Sequence, residues 1–68
     1  MNQKFWPQSS TVHRTTYFPD QLILEIEVRN GKVYRYNGFP ADMWEKVLTA
    51  ESIGKFMHAH IINKYELI

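Results

Sequence analysis

Cysteine is absent from all 68 residues, which excludes disulfide staples and thiolate zinc sites as supplements to a small core. A long apolar run is missing too: nothing approaches the roughly 20 residues that a membrane span needs. The leading MNQKFWPQ lacks the apolar centre of a secretory signal. Neither membrane insertion nor export is expected, and the expected location is the cytoplasm. Charge of one sign is also lacking, since eight Lys plus Arg against seven Asp plus Glu leave a net charge of +1. That excludes the strong basic excess of nonspecific nucleic-acid binders. Four Phe, four Tyr and two Trp are present, and in a chain that buries only about 60% of its unfolded surface they must supply most of the core.

Residues 1 to 9 show no helical or strand periodicity and read as a tail carrying Phe5, Trp6 and Pro7. The domain proper is expected over residues 10 to 68. β-branched Thr11, Val12, Thr15 and Thr16 favour a first strand from Ser10 to Tyr17, and Pro19-Asp20 supplies a turn. Leu22, Leu24, Ile26 and Val28 then alternate with Ile23, Glu25, Glu27 and Arg29, as a strand with one wet face requires. After Asn30-Gly31 a third strand runs from Lys32 to Asn37, completing a hairpin.

Two registers fit that hairpin. A two-residue turn would pair Val28 with Val33 and bury Arg35 opposite Ile26, leaving Tyr34 and Tyr36 exposed. A three-residue turn with Gly31 in the left-handed region pairs Ile26 with Tyr34, turns both tyrosines to the core and sets Arg35 among Glu25 and Glu27. The charge pattern favours the second.

Gly38-Phe39-Pro40 ends the sheet, with Pro40 placed for a first helical turn. Met43, Trp44, Val47 and Leu48 give one apolar helical face, and Ser52 suits the N-cap of a second helix with Ile53, Phe56, Met57, Ile61 and Tyr65 inward. The expected fold is α+β: a three-stranded antiparallel meander followed by two α-helices packed on one face.

No catalytic, metal or cofactor constellation accompanies these elements. His58 and His60 stand about 200° apart on a helix and cannot share an ion there. His60 falls in the apolar stripe and is expected in the core, with His58 facing solvent. Ser9, Ser10 and Ser52 lack a nucleophile-elbow motif, so a non-enzymatic protein is expected. With the tyrosines inward, Arg14, Arg29, Lys32 and Arg35 are the candidate phosphate contacts on the open sheet face. Ile62 is placed opposite the second helix's stripe, beside Lys55, His58 and Ala59. Phe5-Trp6 either offers a contact to a protein or folds back over an edge.

Ser10, Tyr17, the alternation ending in Gly31, the string Val33-Tyr34-Arg35-Tyr36 and Pro40 occur in one order. Leu48, Ala50, Ser52, Gly54, Phe56, Ile61 and Tyr65 continue it. In these residues the chain resembles the KTSC family, whose central YxY motif is matched by Tyr34 and Tyr36. The resemblance implies a small domain like that at the C-terminus of some lysyl-tRNA synthetases, also found as a free-standing bacterial protein, with RNA as first partner. Glu51, His58 and Ile62 depart from the family pattern, which commonly has proline, asparagine and arginine there. An apolar residue in place of a cation at 62 favours contact with protein. The alternative is therefore a protein-interaction module through Phe5, Trp6 and Ile62, or a small regulator or inhibitor from a phage or other mobile element.

Overall fold

A computed structural model describes residues 2 to 68. Five antiparallel strands form one sheet in sequential order: β1 (Gln3–Phe5), β2 (Val12–Phe18), β3 (Ile23–Val28), β4 (Val33–Asn37) and β5 (Glu66–Leu67). Helices α1 (Ala41–Thr49) and α2 (Ile53–His60) lie between β4 and β5 in the chain. Fold class and helix pair are as expected, but the sheet has five strands and not three. The segment read as a tail supplies one of the extra two. Its Gln3, Lys4 and Phe5 pair with Tyr17, Thr16 and Thr15 and cover the edge of β2.

The hairpin adopts the three-residue turn. Ile26 pairs with Tyr34, Glu25 with Arg35 and Leu24 with Tyr36. The Gly31 N–H donates to the Val28 carbonyl at 3.0 Å, and the Val28 N–H to the Lys32 carbonyl at 2.9 Å. Gly31 has φ of 94°, a conformation that costs glycine nothing and other residues strain. A second irregularity lies in β2: Val12 pairs with Val28 but Arg14 with Glu27, leaving His13 as the additional residue. Without that bulge Val12 and Arg14 would share a face. With it, Val12 enters the core and Arg14 joins the glutamates.

The core lies between the sheet and the helices. Val12, Tyr17, Leu24, Ile26 and Tyr36 from the sheet meet Phe39, Trp44, Val47, Ile53, Met57 and Ile61. Tyr17 stacks on Trp44 with ring centroids 5.4 Å apart and 15° between planes, and its hydroxyl donates to the Phe39 carbonyl at 2.7 Å. The Trp44 indole N–H donates to Gln3 Oε1 at 2.7 Å, so a polar residue of the edge strand satisfies the buried ring's only donor.

Two placements on α2 differ from expectation. Ile53, Met57 and Ile61 are the buried residues, spaced by four. The inward direction therefore runs through Met57 and leaves Phe56 and His60 on a flank. His60 is exposed, not in the core. Ile62 is not opposite the stripe: α2 stops at His60, the Ile62 N–H donates to the Met57 carbonyl at 2.8 Å, and Asn63 turns the chain at φ of 64°. This wider turn swings Ile62 inward, where it packs partly buried against the core.

Candidate functional site

The four candidate cations separate into two groups. On the open sheet face, Arg14 approaches Glu27 at 2.8 Å and Glu25 at 3.8 Å, while Arg35 Nε donates to Glu25 Oε2 at 2.8 Å. Register dictates this: Glu25 lies opposite Arg35 on one side and near Arg14 on the other. Both guanidiniums are paired with carboxylates, and a phosphate approaching either one would also meet the negative charge of Glu25 or Glu27 beside it. Pairs of this kind on an exposed face each contribute little to stability, but they remove the local positive potential.

Arg29 and Lys32 lie at the hairpin end, away from those glutamates. The Arg29 guanidinium donates to the Ser9 carbonyl at 3.2 Å through Nε and 3.1 Å through Nη2, and lies 3.4 Å from His13 Nδ1. None of these partners is an anion, so Arg29 keeps its charge uncompensated. Ser9 is itself fixed, because its Oγ accepts the backbone N–H groups of Thr11 and Val12, each at 3.1 Å.

Tyr34 and Tyr36 face the helices. Tyr36 is 7% exposed, and Tyr34 is partly buried against the core. They are therefore unavailable as a stacking pair on the open sheet. Phe5 and Ile62 are likewise packed partly buried on the core, whereas Trp6 stands 58% exposed. Phe5 thus takes the edge-covering role.

Two concavities meet at Thr11. One, of about 400 Å³, is lined by Ser10, Thr11, Val28, Arg29, Asn30 and Tyr34. The other, of about 570 Å³, runs from Thr11 along α2, past Ser52, Gly54, Lys55 and Met57 to His58 and Ala59. Together they make a groove bearing Arg29, Lys55 and His58, several hydroxyls and, among the described residues, no carboxylate. Local structure explains the shape. Ser52 caps α2 by accepting the Lys55 N–H at 3.4 Å, and Gly54 and Ala59 lack the bulk to fill the space beside it. Lys55 and His58 were not among the expected site residues. The signal that could have found them is the run Ser52 to Ala59, where small residues flank a lysine on the outward side of an amphipathic helix. Among the described residues no group of three or more His, Asp or Glu could hold a metal ion. Among the described residues no helix is long and apolar enough to cross a membrane.

A family model described as the KTSC domain matches residues 8–65. An uncharacterised protein of Stutzerimonas stutzeri is 40% identical over 48 residues, spanning 71% of this chain and 68% of that protein. A protein of Tsukamurella paurometabola is 26% identical over 61 residues, with 90% and 91% of the two chains covered. Among solved structures, the crystal structure of a KTSC domain protein from Yersinia pestis superposes with a TM-score of 0.92 at 29% identity, covering 100% of this chain and 96% of that one. These comparisons speak to family and fold; a tie to lysyl-tRNA synthetases is not part of what they show.

Proposed function

The chain belongs to the KTSC domain family, and from that footing we propose that it is a non-enzymatic binding module that holds single-stranded RNA along the groove through Thr11. One observation carries this reading: the molecule segregates its cations. Arg14 and Arg35 are paired with glutamates, while Arg29 and Lys55 line two concavities that join at Thr11 and bear hydroxyls and no carboxylate. A phosphodiester backbone needs this combination, because cations supply affinity and hydroxyl and amide groups fix the oxygens. The overall charge of +1 matters less than this division. It moves the expected contacts from the four-cation set read in the sequence to Arg29 and α2, with Lys32 retained at the hairpin end.

The test is a fluorescence-anisotropy titration of the full chain with a labelled single-stranded RNA at several salt concentrations. Arg29→Ala and Lys55→Ala should each weaken binding and lower the slope of log affinity against log salt by about 0.7, the value for one phosphate contact on a single strand. Arg14→Ala and Arg35→Ala should leave that slope unchanged. Absence of binding at low salt, or an equal effect of all four substitutions, overturns the proposal.

A further inference from the structure

Phe56 and His60 are left unexplained by the groove. They occupy the flank of α2 away from Thr11, one turn apart, with ring centroids separated by 4.9 Å and planes tilted by 42°. Phe56 is partly buried against the core, which fixes its ring, and His60 is exposed. Between them and the helix start lies another concavity of about 420 Å³, which shares Ser52, Lys55 and Ala59 with the groove on the opposite flank. Lys55 therefore stands on the ridge between two hollows. The hollows differ in one respect: the Thr11 side lacks a carboxylate, whereas Glu51 lines the Phe56 side.

We infer that this second hollow is a nucleobase subsite, in which a base unstacked from the strand lies against the Phe56 and His60 rings while its phosphate remains with Lys55. The inference rests on the RNA reading above and deepens it. A carboxylate repels a phosphate but accepts a hydrogen bond from an exocyclic amino group, so Glu51 assigns the base, and not the backbone, to this flank. Base stacking on aromatic rings needs one held face and open space beside it. The half-buried Phe56 supplies the face, and the small Ala59 and Ser52 leave the space. The outward tip of Lys55 lies about 100° round the helix from Phe56, the neighbouring direction, so backbone and base can be engaged from one nucleotide.

The experiment uses the full chain and a single-stranded RNA oligomer carrying one 2-aminopurine, whose fluorescence is quenched while it stacks on neighbouring bases. Binding should brighten the probe as it leaves the strand's own stack. Phe56→Leu, which keeps apolar packing, and His60→Ala, at an exposed position, should each lower affinity about tenfold and abolish that rise, without changing the salt slope. Glu51→Gln should narrow the preference for adenine over uracil at the probe position. Circular dichroism establishes that the variants retain their fold. Binding that leaves the probe emission unchanged, or that Phe56→Leu and His60→Ala do not weaken, overturns the subsite while leaving the groove reading intact. Absence of any binding at low salt removes both.

Discussion

Tyr34 and Tyr36 project to the same side of β4, yet they differ in environment because Tyr36 sits opposite Leu24 under the helices and Tyr34 sits nearer the open hairpin end. Truncation should expose the difference. Tyr36→Ala is expected to cost about 3–5 kcal/mol, as aromatic truncations in packed cores do, and Tyr34→Ala about 1–2 kcal/mol, in the ordinary range for a partly buried ring. Urea denaturation of the two variants measures both, and equal losses would contradict the placement. At this scale the inward orientation was legible, because the alternative register would have buried Arg35 while Glu25 and Glu27 lay unpaired nearby. What was not legible is the rotation of α2. The apolar positions Phe56, Met57 and Ile61 are compatible with more than one inward direction. Only the spacing of the truly buried Ile53, Met57 and Ile61 shows that His60 is turned outward.

Short edge strands obey different rules from central ones. β3 carries six residues of alternating character and announces itself, whereas β1 and β5 have three and two and offer too few positions for a period to register. Their formation is decided by what they cover. β1 is held by pairing to β2, by the Thr15 hydroxyl donating to the Phe5 carbonyl at 3.0 Å and by the Gln3 contact to Trp44. The same argument applies to the β2 bulge, which a pattern of β-branched residues does not reveal. It follows that deleting residues 1 to 6 should do more than trim an end. The Trp44 indole N–H would lose its acceptor and its ring part of its cover, so, measured against a Trp6→Phe reference in which Trp44 is the one tryptophan, its emission should shift to the red and the thermal midpoint should fall. Gln3→Ala should reproduce part of both effects. A deletion variant with unaltered Trp44 emission and melting would show that β1 contributes nothing to the packed state.

For the whole molecule, charge was legible as a sum and illegible as an arrangement. Which cations are neutralised depends on strand register and on a bulge, and which remain free depends on how α2 meets the Ser9 to Thr11 loop. Three of the site residues offered by the groove and its flank, Lys55, Phe56 and His60, therefore read in sequence as parts of an ordinary amphipathic helix. The folded molecule also stores phenols in its core, with a consequence for its pH range. Burial, aided by the charge of Asp42, raises the pKa of Tyr17 above 10.0, and burial, aided by Tyr34, raises that of Tyr36. At alkaline pH the native chain thus holds protons that the unfolded chain releases. The associated stability is fully present below about pH 10, the unfolded value, and is lost as pH rises through the raised native values. Urea midpoints taken at about pH 9 and about pH 11 should fall for the unmodified chain, and fall less for Tyr36→Phe, which cannot ionise at that position. Tyr17→Phe should also flatten the curve, but from a lower start, because the Phe39 carbonyl would lose its buried donor at a cost of about 1–2 kcal/mol at every pH. The slope with pH separates ionisation from the lost hydrogen bond. Parallel curves for all three proteins would mean that the two rings ionise as freely in the folded chain as in the unfolded one.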